Sequence, residues 1–167
     1  MSFYLALNDS FRAFSFGGNG MNDAEYMRLA LALAERGRGW TAPNPMVGAV
    51  IVKDGAVIGQ GWHERYGEPH AERNALASCT ADPAGGTMYV TLEPCQMCAG
   101  AIIQARIPRV VIGSMNSKAG CAGSVLNILQ MPQFNHQAEV VRGVCEEQCS
   151  TMLSSFFKEL REKKKIL

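Results

Sequence analysis

The chain of 167 residues has no long apolar run, no marked excess of charge and no internal repeat. The first absence excludes a membrane-spanning helix, which needs about 20 consecutive apolar residues. The second is a net charge of +1, from 16 basic and 15 acidic side chains, and it removes any argument for nucleic acid from bulk charge alone. A basic segment followed by a clean apolar stretch is also missing after Met1, so no secretory leader is expected. Without a leader the six cysteines do not read as a disulfide framework, and a reducing, cytoplasmic setting is expected. What remains, 47% hydrophobic and 19% charged, suits one globular domain with a sizeable core. Residues 1–86 carry 7 basic and 9 acidic side chains, whereas 87–167 carry 9 and 6, which leans the second half toward an anionic partner.

The chain is organised around Thr91-Leu92-Glu93-Pro94-Cys95-Gln96-Met97-Cys98, read with His70-Ala71-Glu72 upstream. The apolar run 88–92 predicts a buried strand leading to Pro94. Proline is tolerated in the first turn of a helix, and Ala99-Gly100-Ala101-Ile102-Ile103 continues in a helical vein. Cys95 and Cys98 then stand three residues apart in an opening turn, with both sulfurs on one side. The positive end of a helix favours thiolates, the form of cysteine that binds metal. With His70 they make three zinc ligands and leave a fourth position open, the pattern of a catalytic rather than a structural site. Zinc lowers the pKa of a bound water to about 7. Glu72 is the candidate proton shuttle between that water and a leaving amine. Because His70 and Glu72 are not at a same-face helical spacing, His70 is expected at the helix entry.

Elsewhere the pattern is regular. Residues 1–20, with Phe3, Phe11, Phe14 and Phe16 ahead of Gly17-Gly18-Asn19-Gly20, read as a poorly ordered extension before a single domain over 21–167. Asn22 and Glu25 form a capping-box pattern ahead of an apolar stripe at Met27, Leu29, Ala30, Leu33 and Ala34. Strands are expected over 47–52 and 57–62 around an Asp54-Gly55 hairpin turn. A helix from His70 to about Cys79 follows, then the central strand, the cysteine helix, and a strand over 109–113. A short helix over 124–129, a strand over 139–142 and an amphipathic helix over 145–165 complete the chain. The buried stripe of that last helix is read as Met152, Leu153, Phe156, Phe157 and Leu160. Strands separated by helices imply an α/β three-layer sandwich, a mixed sheet of about five strands with helices on both faces.

The His70–Cys98 constellation on this order of elements resembles the cytidine deaminase-like superfamily from about residue 22 onward. Two of its families meet in the chain. Asn44-Pro45-Met46-Val47-Gly48-Ala49-Val50-Ile51-Val52, Gly61-Trp62-His63 and Pro69-His70-Ala71-Glu72-Arg73-Asn74-Ala75-Leu76 resemble the deaminase domain of the riboflavin biosynthesis bifunctional deaminase/reductase. From Thr87 the resemblance changes. Pro94-Cys95-Gln96-Met97-Cys98-Ala99-Gly100-Ala101, Lys118-Ala119-Gly120-Cys121-Ala122-Gly123-Ser124 and Phe134-Asn135-His136 are similar to bacterial tRNA-specific adenosine deaminase, as is Phe156-Phe157 with its basic tail. Three departures stand out. The riboflavin enzymes usually separate their cysteines by a longer insert and carry a reductase domain, for which 167 residues leave no room. The tRNA enzymes usually have Asn where His63 stands, and a longer segment before Thr87.

The resemblance implies zinc held by His70, Cys95 and Cys98, with Glu72 catalytic. It implies base contacts from Asn44, His63, the backbone at Ala71, and Asn116, and nucleic-acid contacts from Arg106, Lys118, Lys163 and Lys164. His136 is read as a loop histidine rather than a ligand. The expected reaction is adenosine to inosine at the wobble position of a tRNA anticodon loop, by a homodimer. Asn116 stands where the tRNA enzymes usually carry Asp, which removes repulsion toward a phosphate and extends the expectation to other single strands, DNA included. One alternative is a pyrimidine deaminase of riboflavin biosynthesis acting on an aminopyrimidine ribose phosphate. Another is an inactive RNA-binding or partner subunit, against which Glu72 argues, because a purely structural zinc has no use for that carboxylate.

Overall fold

The computed structural model describes residues 20–165; the N-terminal extension up to residue 19 lies outside the described residues. Helix α1, Asp23–Glu35, begins with the capping box that its sequence announces. Asn22 Oδ1 accepts from Glu25 N at 3.0 Å, and Glu25 Oε2 accepts from Asn22 N at 2.7 Å. Strands β1, Gly48–Lys53, and β2, Ala56–Trp62, form a hairpin whose turn residues Asp54 and Gly55 both have positive φ, 52° and 76°. Helix α2 is Ala71–Ala77, followed by β3, Thr87–Leu92, and α3, Gln96–Gln104. Then come β4, Arg109–Ser114, β5, Glu139–Arg142, and the long helix α4, Glu146–Lys165.

These strands form one sheet in the order β2-β1-β3-β4-β5. β1 runs antiparallel to both neighbours, while β3, β4 and β5 are parallel. Alternate residues of the central strands face opposite ways. Ala49, Ile51, Met88, Val90, Val110 and Ile112 pack on α2 and α3. Val50, Val52, Tyr89 and Val111 pack on α1 and on Cys149 of α4. The expected three-layer sandwich with a mixed five-stranded sheet is therefore present.

Two expectations are corrected. Over 124–129 only Ile128–Gln130 is helical, as a single 3-10 turn. A helix from Ser124 would first need Ile128 N bonded to Ser124 O, but that amide goes to Cys121 O at 2.9 Å, while Ser124 N is held by Glu93 Oε1, so no α-helical ladder forms there. Of the five residues read as the buried stripe of α4 only Phe156 is buried, at 5% exposure, whereas Phe157 is 38% exposed. Phe156 packs with Ala34 and Met46, with Met152 and Leu160 alongside, and its neighbour turns outward.

One close approach positions the site. A Cβ at Gly61 would stand 2.4 Å from Ala75 N and 2.5 Å from Ala71 O. Only glycine lets α2 lie this close to β2, and that seats the helix entry at His70 against the sheet.

Candidate metal centre and base pocket

β3 delivers the chain to Glu93-Pro94-Cys95 at its C-terminal end, the side on which α/β sheets place ligands. The strand leaving β2 and the loop entering β1 arrive at the same edge, because β1 is antiparallel to both its neighbours.

His70 is the N-cap of α2 and Cys95 the N-cap of α3, and neither side chain caps its own helix. Both turn toward one point instead. His70 Nδ1 lies 3.6 Å from Cys95 Sγ and 3.6 Å from Cys98 Sγ, and the three donor atoms all fall within 4.8 Å of one another. With Zn–S near 2.3 Å and Zn–N near 2.0–2.1 Å, a tetrahedral N···S edge is about 3.5–3.6 Å, so these spacings fit a zinc ion. The donor chemistry fits as well, since one imidazole and two thiols are zinc's preferred partners.

The electrostatics agree. Donation from Cys98, helped by His70 and by the backbone N–H groups of Cys98 and Met97, holds the Cys95 thiol down to about 3. The same contact and burial drive Cys98 the other way, since two adjacent thiolates repel where no cation lies between them. Cys95, through its hydrogen bond, raises His70. Glu72, only 3% exposed in the first turn of α2, has its carboxyl pushed up chiefly by burial.

A cavity of about 190 Å³ opens over this cluster, lined among others by Asn44, His63, His70, Glu72, Cys95 and Asn116. The residues expected to touch a base therefore converge, except Ala71, which is fully buried and does not line the cavity. His63 is 2% exposed, with Nδ1 3.2 Å from Pro69 O and Nε2 3.5 Å from Asn44 Nδ2. A carbonyl only accepts, so Nδ1 carries the proton, and Asn44 points its NH₂ at the Nε2 lone pair. Asn116 Oδ1 accepts from Lys118 N and Ala119 N at 3.2 and 3.3 Å. That fixes its amide and leaves Nδ2 with no hydrogen bond among the described residues.

A wider groove of about 590 Å³ shares Pro45, Leu92, Asn116 and Ala119 with the cavity and adds Lys118, Phe157 and Arg161. Lys118 thus lines the groove beside the cavity. Lys163 and Lys164 are exposed on the last turn of α4 but line neither hollow. Arg106 is engaged with Asn135 Oδ1 at 2.8 Å, and Arg109 is paired with Asp23 at 2.7 Å. His136 Nε2 reaches Ile107 O at 2.8 Å, a structural bond well apart from the cluster.

The sequence reading assigned no role to Glu93. It is 2% exposed, lines the cavity, and accepts from the backbone N–H groups of Asn116, Ala122 and Ser124 at 2.8, 2.9 and 3.0 Å. A carboxylate just before the Pro-Cys turn was the one available signal.

Comparison with known proteins follows the same lines. The family model of the cytidine and deoxycytidylate deaminase zinc-binding region matches residues 21–114. The chain belongs to that family. Its members are zinc-dependent hydrolytic deaminases, and the His/Cys/Cys cluster is the matching candidate site. The chain is 44% identical over 152 residues to the tRNA-specific adenosine deaminase of Bacillus subtilis, covering 86% of this chain and 93% of that one. It is 43% identical over 150 residues to the riboflavin biosynthesis protein RibD of Actinobacillus pleuropneumoniae, covering 86% of this chain but only 39% of that protein. Among solved structures, the deaminase/reductase of Thermotoga maritima superposes with a TM-score of 0.70 at 37% identity, over 84% of this chain and 42% of that one. A structure from a study of A-to-I editing by tRNA:A34 deaminases superposes with a TM-score of 0.63 at 32% identity, over 77% of this chain and 99% of that one. Relatives of the two kinds that the sequence resembles are thus about equally near, each across most of the chain.

Proposed function

We propose that the protein converts adenosine to inosine at the wobble position of a tRNA anticodon loop, with other single strands, including DNA, as secondary substrates. The observation that carries this reading is the groove contiguous with the base cavity, which bears Lys118, Arg161 and the exposed ring of Phe157. A single nucleoside does not need such a track, whereas a strand uses cations for its phosphates and an aromatic face for a neighbouring base.

His70, Cys95 and Cys98 hold the zinc, which when bound lowers the pKa of a water to about 7. Glu72 takes a proton from the attacking water and hands it to the exocyclic amine as that nitrogen leaves. Its burial raises its affinity for the proton it takes. Water adds at the amine-bearing ring carbon, the C–N bond breaks, and ammonia departs. Asn44, His63 and Asn116 hold the base edge. We further propose a cytoplasmic homodimer as the working form; no helix among the described residues is long and apolar enough to cross a membrane.

A second reading has its own observation. His63 and Asn44, from the two stretches that resemble the riboflavin-pathway deaminase domain, are paired in the cavity, and Lys118 in the adjoining groove offers a cation to a ribose phosphate. Ammonia release by the zinc-loaded protein separates the two. Turnover of an adenosine-bearing anticodon stem-loop with none of the aminopyrimidine is expected; the reverse result overturns the first reading. Release from neither substrate, with the stem-loop bound, would leave a binding subunit.

A further inference from the structure

Glu93 is a buried carboxylate that the deamination steps do not use. Four donors converge on it: the backbone N–H groups of Asn116, Ala122 and Ser124, and the Ser124 hydroxyl. Among the described residues no lysine or arginine pairs with it.

The number of donors explains the residue type. A carboxylate offers about four lone-pair positions on two oxygens, and here each position meets an N–H or O–H. A glutamine in its place has only one accepting oxygen and would turn an NH₂ toward donors. The surrounding chain is shaped to the same end. A Cβ at Gly120 would stand 2.0 Å from Glu93 Oε2, so the loop passes the carboxylate only because residue 120 is glycine. Pro94 O adds a further tie, accepting from Cys121 N at 2.8 Å. The segment held in this way carries Asn116 and Ala119, both of which line the base cavity.

We infer that Glu93 is a positioning residue: it clamps the 116–124 loop through neutral donors and thereby fixes the Asn116 wall against which the substrate base is held. The clamp stands 2 residues ahead of Cys95 in the chain, so the strap that brings the metal ligands to the site also sets the opposite wall of the pocket. Because the wall touches the bound substrate but none of the groups that move protons, its loosening raises KM and spares kcat.

The inference rests on the deaminase reading above, and its test has one arm that does not. Glu93→Gln is compared with wild type, zinc-loaded, by amide hydrogen exchange and by steady-state ammonia release from whichever of the two substrates wild type uses. Exchange at Asn116, Ala122 and Ser124 is expected to accelerate at least tenfold, with the β3 amides unchanged and one zinc per chain retained. KM is expected to rise about tenfold, with kcat within about threefold of wild type. Ser124→Ala, which removes only the hydroxyl donor, is expected to move both readouts in the same direction by a smaller factor, and it serves if Glu93→Gln does not fold. Unchanged exchange at the three amides overturns the clamp. Faster exchange with an unchanged KM, or a fall confined to kcat, overturns the positioning role. If wild type deaminates neither substrate, the functional reading fails while the exchange arm still decides the clamp.

Discussion

Asn44 Nδ2 lies 3.5 Å from His63 Nε2, and His63 is in turn held from behind by the Pro69 carbonyl, 3.2 Å from Nδ1. The Nδ1–H tautomer of His63 is thereby fixed by the residue that precedes the candidate ligand His70. With both ring nitrogens engaged, the pair presents to the cavity the Asn44 amide oxygen, which the ring holds in place. His63→Asn removes the ring and the acceptor together. It is expected to shift the ratio of kcat/KM for the adenosine stem-loop over the aminopyrimidine by about tenfold toward the stem-loop, the worth of one hydrogen bond of about 1.4 kcal/mol. Competition kinetics on the two substrates measure this ratio.

Glu72→Gln keeps the shape of a buried side chain that lines the cavity and removes its ability to carry a proton. Ammonia release is expected to fall at least about a hundredfold with zinc content unchanged, the usual worth of a positioned general acid–base. Metal analysis alongside turnover checks both halves; retained activity would remove Glu72 from the proposed mechanism.

Stripping the metal with a chelator is expected to abolish turnover and to lower the melting temperature, and zinc is expected to restore both. The structural reason is specific. His70 and Cys95 start α2 and α3 and neither makes a regular side-chain cap, so an ion held by both would tie the two helix starts together. Exchange at the first-turn amides of these two helices should therefore quicken in the stripped protein while β3 stays protected.

Asn116→Asp adds a negative charge to the wall that faces the substrate track, 2.8 Å through its backbone from the Glu93 carboxylate. Activity on single-stranded DNA is expected to drop more than activity on the RNA stem-loop, by several-fold in their ratio. An unchanged ratio would remove the proposed DNA tolerance.

Arg109 pairs with Asp23 in two hydrogen bonds of 3.0 and 2.7 Å, tying β4 to the first turn of α1. This contact, with a further bond from Tyr89, holds the Asp23 carboxyl below its ordinary value of 3.8 despite some burial. A depressed carboxylate contributes stability that is present above the unfolded pKa and is lost as pH falls through the folded one. Asp23→Asn should therefore cost about 1 kcal/mol near pH 7, the range for a partly exposed pair, and progressively less in acid below the unfolded value. Denaturation midpoints across pH 2–7 measure the convergence.

The metal cluster was legible because its geometry is local. A cysteine spacing of three and a histidine one residue ahead of a helix specify which way side chains project before any tertiary contact is known. The capping box at Asn22 and the Asp54-Gly55 turn were legible for the same reason. Asn44 and His63 could be placed in the pocket only by resemblance, since 19 residues and a hairpin separate them. Glu93 escaped notice because its donors lie 23 to 31 residues downstream, in a loop without periodicity. The same long-range pull turned an expected helix at 124–129 into a strapped loop. Phe157 was misplaced because a helical stripe does not reveal its own width, and only packing against Ala34 and Met46 decides that Phe156 is the inner ring.

Cys95 is the N-cap of α3 and Cys98 stands in its first turn, so a single turn of backbone acts as the ruler between them. One residue inserted there would swing Cys98 by about 100° around the helix axis, carrying its sulfur off the line to His70. Lineages that lengthen this interval must therefore rebuild the start of the helix, not merely extend a loop. In this chain the tight spacing makes the turn itself intolerant of length change.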